Sequence, residues 1–353
     1  MKYETIVLTG GGTAGHVSPN INLSHELNKY FKRIVYIGSK NGIEQKLITS
    51  QTNYEYQSID SVKFERRKII KALGIPFKLT KIVNQAKKIL KNIKPSIVFS
   101  KGGYVGLPVV IAAHKLKIPV VCHESDITMG LANKLSSRFA NKICTNFPIT
   151  ADKNKSKFIY TGSPILLSPL TKSQAKEKLK INTKKPILLV TGGSLGAKAI
   201  NEFIFKNINQ LTNNFYVLHL VGKNNFNKKI NNSSYKQIEF SNDMWTIFKA
   251  TDYAISRAGA NTIMELLSNK IPTIFIPLPR NISRGDQIEN VKYIEKLNIS
   301  TSILQEELTL EKVQNKLDFL EKNKNNIILS IEKQNFTDGT NKIIQTILSS
   351  INQ

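Results

Sequence analysis

Ile6-Val7-Leu8-Thr9-Gly10-Gly11-Gly12-Thr13 opens the chain, and Ile187-Leu188-Leu189-Val190-Thr191-Gly192-Gly193-Ser194 repeats its pattern near the middle. Each stretch is an apolar strand, a threonine, two or three glycines, and a hydroxyl residue that opens a helix. Bare backbone N–H groups at a helix N-terminus favour an anion, and glycine lets a ligand approach the backbone. Neither turn is a P-loop, because no Gly-Lys-Ser/Thr follows. Neither fits the dinucleotide fingerprint cleanly, because no acidic residue closes the following strand, Val35-Tyr36-Ile37-Gly38-Ser39. Two such turns at equivalent positions predict two doubly wound α/β halves holding a phosphate-bearing ligand between Gly10–His16 and Gly192–Ala197.

Working outward, short β-branched runs recur at Ile34–Ile37, Ile97–Phe99, Pro119–Val121, Tyr216–Leu218, Tyr253–Ile255 and Thr273–Ile276. The segments between them are helical in period. Ile82, Val83, Ala86, Ile89, Leu90 and Ile93 fall on one face, with Lys81, Lys87, Lys88 and Lys91 among the other positions. Strands alternating with helices predict parallel sheets covered on both faces. The 353 residues suit two domains. The expected bounds are 1–162 plus 338–353 for the first and 163–337 for the second, with the last helix packing back on the first half.

A net charge of +26 points to a polyanionic partner, whether nucleic acid, an anionic membrane face or a phosphate-rich substrate. No helix-turn-helix, aromatic RNP motif or zinc spacing supports nucleic acid. No 18-residue uncharged apolar run exists, and the start lacks the layout of a signal peptide. Cys122 and Cys144 adjoin apolar residues and read as buried thiols of a reducing compartment.

The topology should gather the polar groups at the carboxyl edges of the sheets. In the first half these are His16, Gly102–Tyr104 and His123–Asp126. His16 is either a base or a cap for its loop. In the second half, Ser256-Arg257-Ala258-Gly259-Ala260 opens a helix bearing Glu265, a carboxylate suited to a ribose diol or simply a solvated first-turn acid.

Taken in order, these segments resemble family 28 of the GT-B glycosyltransferases, the bacterial cell-wall N-acetylglucosaminyltransferases. The likeness runs through Gly10–His16, Lys101-Gly102-Gly103-Tyr104-Val105, His123–Lys134, Gly192–Ala197, Ser256–Ala260 with Glu265, and Asp286-Gln287. It implies a GT-B fold, two Rossmann-like domains facing each other across a cleft. The implied reaction moves N-acetylglucosamine from UDP-N-acetylglucosamine to the C4 hydroxyl of the muramoyl residue of lipid I, with inversion, giving lipid II. By the same resemblance Ser194 and its turn hold the pyrophosphate, Glu265 takes the ribose hydroxyls, and Ala260 lies along the nucleotide. Asp286 and Gln287 reach the donor sugar, and Ser241 stands where a backbone group reads the uracil. Thr13, Ala14, Gly15 and Asp126 face the substrates from the first half, and His16 or Asp126 is the base. The first turn then shapes the acceptor site, while the second grips the donor. No cofactor and no protein-held metal are expected, since no metal-ligand cluster is apparent in the sequence.

Three positions depart from the family pattern: Leu166 stands for an arginine, Asp126 for an asparagine and Asp286 for a glutamine. A glycosyltransferase with another lipid acceptor, such as a diacylglycerol glucosyltransferase, is the alternative within the fold. The segment Lys63–Lys94 holds eleven Lys/Arg and a single acid, Glu65. Phe64, Ile69, Ile70, Leu73, Ile75 and Phe77 among those cations describe an interfacial anchor on an anionic leaflet. This predicts peripheral attachment at the cytoplasmic face of the plasma membrane.

Overall fold

The computed structural model describes residues 2–61, 75–152, 154–193, 195–334, 336 and 338–351. Ser194 and the anchor residues Phe64, Ile69, Ile70 and Leu73 lie outside them. The chain divides into two units, Met1–Ile165 with Asp338–Gln353, and Leu166–Thr337.

The first unit is built on β1 (Tyr3–Thr9), β2 (Phe31–Ser39), β3 (Glu55–Ile59), β4 (Ile97–Ser100), β5 (Val120–Glu124), β6 (Lys142–Thr145) and β7 (Phe158–Tyr160). They form a parallel sheet in the order β3-β2-β1-β4-β5-β6-β7. Alternate residues feed two cores, which is why these strands read as nearly unbroken apolar runs. Val7, Val35, Ile37, Val98 and Val120 pack against Ile82, Val83, Ala86 and Leu90 of the helix Ile75–Ile93. On the opposite face Ile6, Leu8, Tyr36 and Phe99 pack against Ile343, Ile344 and Ile347 of the helix Thr340–Ile351. The last helix packs within the first unit. Each isoleucine fully buried there contributes roughly 1.5–3 kcal/mol.

The second unit contains β8 (Ile187–Thr191), β9 (Tyr216–Leu220), β10 (Tyr235–Ile238), β11 (Tyr253–Ser256), β12 (Thr273–Phe275) and β13 (Thr301–Ser302). These strands are parallel in the order β10-β9-β8-β11-β12-β13. The helix Lys198–Asn214 buries Ile200, Ile204, Ile208 and Leu211, spaced to keep one face inward.

In each sheet the strand order reverses beside its first strand, between β1 and β4 and between β8 and β11. Those switch points open a crevice at the carboxyl ends of the strands. Strand β12 stops one residue short of the expected Ile276, just before Pro277, which has no N–H to donate. Cys122 and Cys144 are free and buried, on adjacent strands.

Candidate active site

In the first unit, β1 delivers the chain into a turn that is bound from several sides. Tyr36 Oη donates to Gly10 O at 2.7 Å, and Asn20 Nδ2 donates to Thr9 O at 3.3 Å. Gly103, at φ +76°, lies so close to the turn that a Cβ there would meet Gly11 O at 2.3 Å. The glycine turns after β1 and β4 thus pack backbone against backbone, which no residue with a side chain allows. Glu44, fully buried, reaches this junction from the helix Ile43–Gln51. Its carboxyl group accepts from Gly12 N at 3.3 Å and from Ser39 N at 3.0 Å and Ser39 Oγ at 2.5 Å. An internal acid therefore takes the Gly12 N–H, which accords with a turn that does not itself grip the phosphate. The first turn is closed from within.

Beyond Gly12 the chain makes one short turn of helix, Ala14–His16. Thr13 Oγ1 and His16 Nδ1 lie 3.0 Å apart, and the histidine is half-buried. The tautomer that serves as a base carries its proton on Nδ1, donated to Thr13, and offers the Nε2 lone pair.

Two strands along the same edge, Glu124 ends β5 with its side chain buried. It accepts from Asp126 N at 3.0 Å, Gly130 N at 3.0 Å and Asn133 Nδ2 at 3.1 Å, shaping the loop that carries Asp126. Burial, then the neighbouring Asp126 carboxylate, pushes its pKa above the usual carboxylate range. Between the two loops, at the end of β4, Lys101 is also buried. Its Nζ lies 2.7 Å from His123 Nδ1 and 2.9 Å from Ser125 Oγ. His123 Nε2 lies 2.9 Å from the Gly162 carbonyl oxygen, so that nitrogen carries the proton and donates to it. His123 Nδ1 is left to accept from Lys101. Burial first, and the Lys101 charge second, hold His123 well below its ordinary pKa, so the ring is neutral.

In the second unit the turn after β8 has a different character. Gly193 takes φ +87°, and a Cβ built on it would meet nothing within 4 Å. Gly259, after β11, also faces open space, although its φ of −65° suits any residue. The fold does not require glycine at 259; the missing side chain leaves room beside the helix it precedes. That helix, Ala260–Ser268, and the helix Lys198–Asn214 both begin without a side-chain cap. Adjacent strands β8 and β11 therefore lead to two uncapped helix N-termini, a donor array suited to a diphosphate. Arg257 braces the edge, donating to Ile276 O at 3.1 Å and to Gln305 Oε1 at 2.5 Å.

Glu265 sits on the helix that starts at Ala260. No described residue hydrogen-bonds or ion-pairs with its carboxyl group, and burial pushes its pKa up to about 7. An acid with unspent acceptors at a ligand-binding edge suits a diol. Asp286 and Gln287 open the helix Asp286–Lys296 after Gly285, at φ +85°. Asp286 pairs with Arg284 Nε at 3.2 Å, and Gln287 Oε1 accepts from Leu278 N at 3.0 Å. Ser241, beyond β10, accepts from Asp243 N through Oγ at 3.0 Å. Leu166 is partly exposed and has no polar atom with which to replace an arginine.

The first unit brings Thr13, Ala14, Gly15, His16 and Asp126 to one edge, and the second brings Ser241, Ala260, Glu265, Asp286 and Gln287 to another. Glu44 escaped the sequence reading, since a first-turn glutamate ordinarily just complements the helix dipole. Lys101 and Arg257 were visible within motifs, without anything to show that they bind neighbouring loops. Among the described residues no group of three His, Cys, Asp or Glu is arranged to hold a metal ion.

Residues 6–145 match the glycosyltransferase family 28 N-terminal domain, and residues 187–347 match the family 28 C-terminal domain. The chain is 45% identical over 350 residues to the UDP-N-acetylglucosamine–N-acetylmuramyl-(pentapeptide) pyrophosphoryl-undecaprenol N-acetylglucosamine transferase of Clostridium botulinum (strain Kyoto / Type A2), covering 98% of each chain. It is 43% identical over 349 residues to the protein of the same name from Clostridium tetani, covering 98% of this chain and 97% of that one. Among solved structures it resembles Acinetobacter baumannii MurG, with a TM-score of 0.74 at 26% identity over 98% of this chain and 99% of that one. The calicheamicin glycosyltransferase CalG4 shares the fold at 12% identity, with a TM-score of 0.72 over 100% of this chain and 99% of that one.

Proposed function

The chain belongs to glycosyltransferase family 28, and we propose that it transfers N-acetylglucosamine from UDP-N-acetylglucosamine to the C4 hydroxyl of the muramoyl residue of lipid I, with inversion. The product is lipid II, and the process is peptidoglycan synthesis. The carrying observation is the 45% identity, over 98% of both chains, to a transferase named for this donor and acceptor.

The chemistry follows from the groups available. A base removes the proton of the acceptor hydroxyl, whose oxygen attacks the anomeric carbon from the face opposite UDP. The bond to the pyrophosphate breaks, and UDP leaves with the electron pair. In this reading His16 or Asp126 is the base, and Thr13, Ala14 and Gly15 shape the acceptor side. The uncapped helix starts at Lys198 and Ala260 compensate the charge developing on UDP, and Ser194 is assigned to the pyrophosphate by the family resemblance alone. Glu265 binds the ribose hydroxyls, Ser241 the uracil, Ala260 the nucleotide, and Asp286 with Gln287 the donor sugar. The acceptor is lipid-linked, so the enzyme works at the anionic cytoplasmic face of the plasma membrane. Phe77 supports this, being 82% exposed beside the exposed Lys78. Among the described residues no helix is long and apolar enough to cross a membrane.

Turnover with purified lipid I tests the reading. UDP-N-acetylglucosamine should support conversion to lipid II, and UDP-glucose should not. Conversion of diacylglycerol with UDP-glucose, and none of lipid I, would replace the assignment with the glycolipid alternative.

A further inference from the structure

Lys101 is an unusual residue to bury. Moving an amine out of water costs several kcal/mol unless its bonds are replaced. Among the described residues no carboxylate ion-pairs with it. Both hydrogen-bonding partners of its Nζ, His123 and Ser125, lie on β5 and the loop that follows. The other end of the side chain runs past the first glycine turn, where a Cβ on Gly10 would come within 3.2 Å of Lys101 Cβ. One side chain therefore spans from the turn that leads to His16 to the loop that carries Asp126.

We infer that Lys101 is a positioning residue: its buried amino group, backed by the neutral His123 ring, fixes Ser125 and thereby sets Asp126 at the carboxyl edge of the sheet. Thr150 Oγ1 donates to Ile127 O at 3.0 Å further along the loop, whereas Lys101 is the donor that reaches Ser125, at 2.9 Å. Glu124 gathers the Asp126 and Gly130 N–H groups, but nothing about it selects where Ser125 turns its hydroxyl. Lys101 supplies that donor, and His123 cannot drift, since its Nε2 is committed to Gly162 O at 2.9 Å. The titratable groups around the amine are Glu124 at the end of β5, Asp126 in the loop beyond it, and the Cys144 thiol on β6, which burial keeps neutral. Burial outweighs their pull and brings the Lys101 pKa down to about 7. The amine thus spends part of its time uncharged, which lowers the cost of holding it there. A methionine of similar length would fill the space without donating.

The inference rests on the proposed reaction for its kinetic arm only. In the full chain, Lys101→Met should lower kcat for lipid I at least tenfold, with the donor KM and the UDP Kd within twofold of the parent. Ser125→Ala should give a smaller fall in kcat with the same unchanged donor KM. Amide hydrogen exchange over residues 125–127 should accelerate at least tenfold in both variants, while the amides of β4 and β5 exchange as in the parent. Parent-like kcat and parent-like loop exchange in a folded Lys101→Met would overturn the inference. Should that variant not fold, parent-like loop exchange in Ser125→Ala overturns it alone. A parent enzyme inactive on lipid I refutes the proposed reaction, and the exchange data still decide the role of Lys101.

Discussion

Glu265, the proposed ribose ligand, weakens the fold that carries it. Its pKa near 7 in the folded chain stands above the ordinary carboxylate value, so between pH 4.5 and 7 the folded state binds more protons than the unfolded one. Stability from this group is therefore present at low pH and lost as pH rises through about 7. A neutral glutamine removes that loss. Glu265→Gln should raise Tm at pH 8 relative to the parent while raising the donor KM at least tenfold, because the carboxylate no longer accepts from the ribose diol. The KM difference should shrink below pH 7, where the parent's own carboxyl group protonates. Calorimetry and initial rates at pH 6 and pH 8 read both effects. An unchanged donor KM at pH 8 would remove Glu265 from the site.

At the scale of elements, the two families of glycine turn serve opposite ends. Gly103 is glycine because Gly11 O leaves no space, whereas a Cβ on Gly259 would meet nothing within 4 Å. Gly103→Ala should destabilise the protein by at least about 2 kcal/mol, as overpacking against a rigid backbone does. Gly259→Ala should cost at most about 1 kcal/mol, the scale of a changed N-cap. Yet its methyl group would stand beside the uncapped start of the helix Ala260–Ser268 and raise the donor KM at least tenfold. Denaturant melts and donor saturation curves separate the two cases; a Gly259→Ala enzyme with parental KM would show that no ligand uses the space. The contrast also marks what was legible beforehand. Periodicity placed the helix at Ile82–Ile93, and the repeated strand–glycine pattern located both switch points, because local spacing determines both. Strands such as Glu55–Ile59 escaped, being short and half polar and held by their pairing with β2. The closure of Gly12 by Glu44 joins residues 32 apart in sequence and exists only once β1 and β2 are paired.

For the whole molecule, the proposed reversible attachment to an anionic leaflet draws on two features, the net charge of +26 and the exposed Phe77. Basic residues near an anionic surface contribute roughly 1 kcal/mol each, and that attraction decays within about 8–10 Å at physiological salt. Burying one phenylalanine adds roughly 1.5–3 kcal/mol, independent of charge. The two contributions separate experimentally. Vesicles containing anionic phospholipid should sediment the protein, pure phosphatidylcholine vesicles should not, and binding should fall steadily between 0.1 and 0.5 M salt, by about tenfold or more. Phe77→Ser should raise the half-saturating lipid concentration about tenfold at low salt, as loss of that burial implies. The variant should keep its rate on a water-soluble acceptor analogue, because the substitution touches neither switch point. Equal sedimentation with neutral and anionic vesicles would eliminate the electrostatic contribution. A parental lipid requirement in Phe77→Ser would take this residue out of the proposed membrane face.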